Sequence, residues 1–171
     1  MLRAIEHFPS PAWPADAATD SLTLDFDARH RRRLRLTSAR GEHILLDLPK
    51  TVAMADGDGL RLEDGRWLRV TAAAEALLEV RCAGPEALAR IAWHLGNRHL
   101  PSQIGDGVIR IRPDHVIEAM LVQLGASVER VEAPFQPEGG AYAGHGDGRG
   151  HHHREDHAHG RGPHDHGGHD D

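Results

Sequence analysis

The chain has 171 residues and a formal net charge of −6, with 20 Lys and Arg against 26 Asp and Glu. This balance disfavours a general nucleic-acid binder, and the single cysteine excludes an internal disulfide framework and a thiolate zinc finger. No stretch approaches the roughly 18–20 apolar residues that span a bilayer, and no basic-then-apolar signal opens the chain. We therefore expect a cytoplasmic protein with no membrane contact.

The first part of the chain, residues 1–73, predicts a small all-β domain. Short runs in which apolar residues alternate with polar ones, or dominate, are typical of strands when turn residues bound them. The predicted strands are residues 22–26, 33–36, 43–48, 60–62 and 67–70. Asp64 and Gly65 form the turn of a hairpin between the last two.

The second part, residues 74–144, changes period and predicts a ferredoxin-like βαββαβ domain, so the fold class is α+β. One helix follows Pro85 and ends at Gly96, and another follows Pro113 and ends at Gly125. The predicted strands are residues 76–82, 102–104, 108–111 and 127–131. The apolar face of the second helix is predicted to comprise Val116, Ile117, Met120, Leu121 and Leu124.

The three tryptophans, Trp13, Trp67 and Trp93, are expected to pack inside the protein.

Residues 145–171 differ in composition from the rest of the chain. They hold nine of the 15 histidines and no Leu, Ile, Val, Met or aromatic residue. With nothing to bury, they cannot offset the entropy cost of ordering, and we predict a disordered tail. Neutral imidazole suits Ni²⁺, Cu²⁺, Zn²⁺ and Co²⁺, so we predict that the tail binds several metal ions. The predicted ligands are His145, His151, His152, His153, His157, His159, His164, His166 and His169.

Three histidines of residues 74–144 lie near the predicted helices. His99 comes at or just beyond the end of the first helix and is expected on the surface, His115 lies in the first turn of the second helix, and His94 lies within the first. A lone histidine is more often a structural residue than a ligand. On residue chemistry alone His99 is the leading candidate ligand, followed by His115 and then His94.

Three blocks of the second half resemble the UreE family, the urease accessory metallochaperones. Residues 93–101 read Trp-His-Leu-Gly-Asn-Arg-His-Leu-Pro, residues 114–116 read Asp-His-Val, and residues 134–142 run from Pro-Phe through Glu-Gly-Gly to Ala-Tyr. The order and spacing of the blocks agree with the family. A His-rich C-terminus is also frequent in it.

The resemblance implies a cytoplasmic homodimer that binds Ni²⁺ and delivers it to the urease assembly complex, formed by the urease apoprotein and an accessory GTPase. It implies a partner- or peptide-binding domain at residues 1–73, a metal-binding and dimerisation domain at residues 74–144, and a metal-collecting tail. The central family ligand matches His99, one from each subunit sharing an ion across a two-fold axis. His115 is a secondary candidate ligand. Zn²⁺, Cu²⁺ or Co²⁺ can use the same ligands.

Other functions are weighed against this one. A general Ni/Zn storage or buffering protein, in which the tail is the function, is the main alternative. The basic patch over residues 29–35 is interpreted as a solvated face or a partner-docking surface, and an RNA-binding module is disfavoured by the net charge. The chain has no His-Glu-x-x-His, no Gly-x-Ser-x-Gly and no phosphate loop, so we do not expect an enzyme.

Overall fold

Two β-sheets and two helices make up the described part of the chain, residues 1–139 of a computed structural model, and the α+β prediction is confirmed. The helices are α1 (Pro85–Gly96) and α2 (His115–Gln123), and short 3₁₀ turns lie at Ala15–Ala17 and Ala28–His30. The strands are β1 (Leu2–Phe8), β2 (Ala18–Leu24), β3 (Arg33–Thr37), β4 (His43–Asp47), β5 (Gly59–Leu62), β6 (Trp67–Ala72), β7 (Ala74–Arg81), β8 (Gln103–Gly105), β9 (Val108–Ile111) and β10 (Ser127–Pro134).

The first sheet has six strands in the order β2-β6-β5-β1-β4-β3 and curls around an apolar core. The turn after β3 reaches the opposite edge of the sheet, where the Ala39 N–H donates to the Ser21 carbonyl at 2.9 Å. Leu22, Ile44 and Leu60 are fully buried in the core. The predicted hairpin between β5 and β6 is confirmed.

Sequence patterning missed β1, which lies in the middle of this sheet. Its pairing with β5 shifts register between Ala4 and Glu6. Such a bulge interrupts the strict alternation of apolar and polar residues by which a strand is detected. The strand predicted at residues 22–26 is also displaced, since β2 begins at Ala18 and ends at Leu24.

The second sheet has the order β10-β7-β9-β8, with every neighbouring pair antiparallel. The chain order β7-α1-β8-β9-α2-β10 is the predicted βαββαβ arrangement. Both helices contribute to one apolar core with the sheet, through residues such as Ile91, Leu95 and Leu121. Pro85 occupies the first turn of α1, where a missing N–H costs no hydrogen bond.

Three side chains that were expected to be buried are exposed. Trp93 is 64% exposed on α1, Val116 on α2 is 63% exposed, and Leu124 is 45% exposed. The buried face of α1 is formed by Ile91 and Leu95, and a residue two positions before Leu95 points to the other side of a helix. The packing prediction was therefore wrong for Trp93, whereas Trp13 is buried and Trp67 is half-buried.

After β10 the chain returns to the first sheet. Phe135 is fully buried, its ring lies 5.3 Å from that of Phe26, and its carbonyl accepts a hydrogen bond from Nη2 of Arg29. Burial lowers the pKa of Arg29, a residue only 2% exposed. Three residues further on, the Glu138 N–H donates to the Ser102 carbonyl at 2.9 Å. The last described residues therefore connect the first sheet to the loop that follows α1.

A buried carboxylate in the first sheet gives the fold a pH dependence. Asp58 is 3% exposed and accepts hydrogen bonds from His7 (2.7 Å) and from the N–H groups of Ser10 and Ala55. Burial alone would raise the pKa of Asp58, but these hydrogen bonds outweigh it and lower the pKa. The stabilisation is therefore complete above the unfolded value of about 4 and is lost as the pH falls through the lower folded value.

We expect Asp58→Asn to lower the free energy of unfolding by about 1–3 kcal/mol at pH 7, because an amide pairs poorly with those donors. The loss of stability on acidification should also be smaller than in the wild type. Urea unfolding between pH 7 and pH 3 measures both effects. Asp16→Asn, at an exposed aspartate, is the matched control. Equal acid sensitivity in all three proteins would show that Asp58 does not carry this dependence.

Candidate metal site

His99 lies in the turn that ends α1. Its N–H donates to the Gly96 carbonyl at 3.0 Å, and the N–H of Leu100 donates to the Leu95 carbonyl at 3.3 Å. These two bonds form a Schellman motif, in which His99 takes the position after the cap. The buried side chain of Leu95 and the partly buried Leu100 belong to the same core and close the motif.

The backbone of His99 has a φ of +54°, the only positive φ among the described residues that are not glycine. Glycine usually takes this position, because a side chain in the left-handed region costs roughly 1 kcal/mol. The His99 side chain is exposed. The fold therefore tolerates a strained histidine at a site where glycine would be easier, and it presents the imidazole to solvent.

His115 is the first residue of α2 and is also exposed. The preceding Asp114 caps the helix, and its carboxylate accepts hydrogen bonds from the N–H groups of Val116 (2.9 Å) and Ile117 (3.1 Å). Asp114 therefore has a structural role that fixes where α2 begins.

A pocket of about 370 Å³ lies between the segment that follows His99 and the segment that precedes His115. Leu100 and Pro101, which follow His99, line one part of it, while residues 112–114, which precede His115, line another. The end of α1 and the start of α2 are thus adjacent. Arg112 points to a different partner, with Nη1 3.0 Å from Oδ1 of Asp27.

No group of three His, Cys, Asp or Glu side chains that could hold a metal ion is present within residues 1–139. His94 is half-buried, its ring lies 5.0 Å from that of Trp93, and its carbonyl accepts a hydrogen bond from Arg98. The nine predicted ligands of the tail, from His145 to His169, lie outside the described residues. One chain, as far as it is described, offers single imidazoles and not a complete coordination sphere.

Several large apolar side chains in the same part of the chain as His99 and His115 are exposed, and the sequence analysis did not predict this. Within residues 1–139 they all lie in the second sheet and its helices, apart from Met1. They are Trp93, Ile104, Val116, Val122 and Leu124, each at least 45% exposed. A helical projection of α2 could have revealed part of this surface, because the face opposite Leu121 contains no charged residue.

Comparisons with known proteins match both parts of the chain. The model of the UreE urease accessory protein N-terminal domain matches residues 1–73, and that of its C-terminal domain matches residues 75–168. A urease accessory protein UreE from Bradyrhizobium sp. (strain ORS 278) is 58% identical over 143 residues, which cover 84% of this chain and 68% of the relative. The Pseudomonas fluorescens (strain Pf0-1) protein of the same name is 51% identical over 146 residues, 85% of this chain and 82% of the relative.

The two-part α+β fold and these matches define the class of the protein: it is an accessory protein of urease and not an enzyme. The chain belongs to the UreE family, and the resemblance seen in the three sequence blocks is confirmed. In the described part of the chain, no helix is long and apolar enough to cross a membrane.

Proposed function

We propose that this protein is a cytoplasmic nickel metallochaperone that delivers Ni²⁺ to the urease assembly complex. The ion is cargo, held by His99 from two copies of the chain and then passed on. The observation that carries the proposal is that His99, at the end of α1, combines an exposed side chain with a strained backbone. Backbone strain retained at a single exposed position is typical of functional residues.

Ligand number supports a site shared between two chains. A single imidazole does not retain a divalent ion, and within residues 1–139 no cluster of three possible ligands is available. A two-fold axis close to His99 doubles the ligands without requiring a second residue. Such a site leaves coordination positions open, so the ion can leave by stepwise ligand exchange with a partner. Because protonated imidazole cannot ligate, nickel binding should weaken in acid.

The exposed apolar side chains support a homodimer formed by the second sheet and its helices. Trp93 precedes His99 by six residues, and Val116 follows His115 directly. Where such side chains form a contiguous patch, they are typical of a protein–protein interface. A second copy that covers it would bring the two His99 side chains towards a common axis.

The tail is proposed to collect metal ions and to add ligands to those held by His99. The Glu138 N–H is anchored to Ser102, only three residues from His99. His145, the first histidine of the tail, follows Glu138 by seven residues, which can span up to about 25 Å. Chain length thus allows tail histidines to exchange with the shared site.

Each of the three parts of the chain is proposed to have its own role. Residues 1–73 engage the assembly complex, residues 74–144 bind metal and dimerise, and residues 145–171 form the collecting tail. The sequence contains no phosphate-binding loop, so any step driven by nucleotide hydrolysis belongs to the accessory GTPase. His115, which directly follows the pocket-lining Asp114, is proposed as a secondary ligand.

Urease activation in a strain that lacks this gene tests the proposal. The wild-type chain should restore activity in low-nickel medium, whereas His99→Ala should restore less than about a tenth of it, because even the loss of an outer-shell partner of a ligand typically costs about 10–100-fold in metal affinity and His99 is the proposed ligand itself. Excess nickel should rescue the variant. His94→Ala is the control, since this half-buried histidine lies on α1, shortly before the turn that holds His99, and is not a proposed ligand.

A storage or buffering protein for Ni²⁺ and Zn²⁺ is the second candidate, and the nine histidines of residues 145–171 favour it. Removal of the chain after Gly144 distinguishes the two functions. A chaperone should keep partial activation through His99, whereas a storage protein should lose its effect entirely. Full activation by His99→Ala in low nickel would argue against the delivery function.

A further inference from the structure

The exposed part of the basic run, residues 31–35, lies at the edge of the first sheet, whereas Arg29 is buried. Within the described residues β3 pairs only with β4. On its other side the turn after β3 bonds to β2 through Ala39 and Ser21, whereas Arg33 and Arg35 have no paired strand. Arg33 and Arg35 lie on the strand and are exposed, as are Arg31 and Arg32 just before it. The edge therefore combines an open strand with dense positive charge.

On β3, the backbone N–H and C=O groups that face away from β4 are those of Arg33 and Arg35. The Arg32 carbonyl accepts a hydrogen bond from the Leu48 N–H at 2.8 Å. Bonded positions alternate along an antiparallel pair, so even-numbered residues of β3 bond to β4. The N–H and C=O groups of Arg33 and Arg35 consequently point away from the sheet. They are available to an added strand.

The inner face of β3 is incompletely covered. Leu34 and Leu36 are only half-buried against the core, whereas Leu46 and Ile44, which they oppose on β4, are fully buried. A strand added beside β3 would shield these two leucines from water. Apolar burial and backbone pairing would then act together.

Carboxylates of the chain do not neutralise this edge. The closest to Arg33 is Asp47, whose Oδ1 lies 3.8 Å away and whose other oxygen is 3.4 Å from Arg3. Among residues 1–139, Arg31, Arg32 and Arg35 have no carboxylate within 4.0 Å, although the whole chain carries a net charge of −6. This local positive field selects an acidic ligand.

We propose that β3 is a docking edge for an extended acidic segment of a partner protein, which adds to the sheet as a strand beside Arg33 and Arg35. A second copy of β3 fits poorly, because its arginines would lie opposite like charges. Open backbone donors and acceptors beside half-buried leucines match a strand better than a phosphodiester chain. The surface uses no residue of the candidate metal site, so it can be tested independently of nickel binding.

Fluorescence anisotropy with the full-length protein tests the proposal. The probe is a labelled peptide of about ten residues in which Glu alternates with Val and Thr. We expect saturable binding that Arg33→Ala with Arg35→Ala weakens by about tenfold, since each cross-strand ion pair contributes a few-fold. Arg90→Ala with Arg130→Ala removes the same charge from two exposed arginines of the second sheet and its helices and should leave binding unchanged.

Two further comparisons separate strand addition from simple charge attraction. N-methylation of alternate peptide residues should abolish binding, because it removes the N–H groups that pair with β3. Arg35→Pro should weaken binding more than Arg35→Ala, since it removes an outward N–H and no bond to β4. Circular dichroism checks the fold of this variant, and the N-methylated peptide gives the same information if proline unfolds the strand.

Five results would overturn the proposal. The first four are absence of saturable binding to the wild type, equal weakening in the two double variants, indifference to N-methylation, and tighter Arg33- and Arg35-dependent binding of a single-stranded oligothymidylate. The fourth would identify a nucleic-acid surface instead. Loss of dimer mass in Arg35→Pro during sedimentation would show that the edge pairs two copies of the chain, which also contradicts an acidic partner.

Discussion

Substitution of His99 by alanine is expected to weaken the tightest nickel site strongly and to leave the fold intact. The side chain is exposed, so its loss should remove little packing. Titration calorimetry of the wild type should show a tight phase at one Ni²⁺ per two chains, followed by weaker binding. In His99→Ala the tight phase should weaken by about 100-fold or more, while the weaker phase remains.

Three control variants locate the tight phase. His94→Ala should preserve it, and His115→Ala reports whether the secondary candidate contributes. Removal of the chain after Gly144 should lower the number of bound ions and preserve the tight phase. An unchanged tight phase in His99→Ala would contradict the assignment.

Two substitutions of His99 distinguish its effect on metal binding from its effect on the stability of the fold. Because His99 has a φ of +54°, His99→Gly should raise the free energy of unfolding by up to about 1 kcal/mol relative to His99→Ala, although both lose the metal site. Urea unfolding of the metal-free proteins measures this difference. A glycine variant that is less stable than the alanine variant would show that the turn does not strain the histidine.

Phe135→Ala is expected to lower the free energy of unfolding by about 3–5 kcal/mol, the largest stability effect in this account. The side chain is fully buried, contacts Phe26, and precedes the segment that reaches Ser102. Its loss leaves a cavity beside Arg29, whose guanidinium bonds the Phe135 carbonyl. Equilibrium urea unfolding gives the value.

The matched control is Phe135→Leu, which keeps most of the apolar volume and should cost less than about 1.5 kcal/mol. If Phe135→Ala unfolds within 1 kcal/mol of the wild type, the return of the chain to the first sheet contributes little to stability.

Local patterns predicted most elements of this fold, because the residues that mark their boundaries act locally. Pro85 and Gly96 bound α1 as expected, and the Asp64-Gly65 turn joins β5 to β6. The order of the six-stranded sheet could not be read in this way. Its parallel pairs, β1 with β4 and β2 with β6, join segments far apart in sequence, and alternation does not specify a partner.

The family was predictable from the sequence, whereas the geometry around the candidate ligands was not. The order of the blocks around His99 and His115 indicated the family, and the comparisons confirm that membership. The strain at His99 was hidden, because the usual signal of a left-handed turn is glycine. The exposure of Trp93 was also hidden, since an aromatic residue is read as a core residue unless its position on the helix is considered. The pairing of two subunits stays a prediction.

The most direct test of the shared nickel site is a crystal structure of the nickel-loaded protein with anomalous diffraction at the nickel edge. We predict one strong anomalous peak on a two-fold axis, within bonding distance of the His99 imidazole of each subunit. A structure in which the two His99 rings lie far apart, or point into their own subunits with no metal between them, would contradict it.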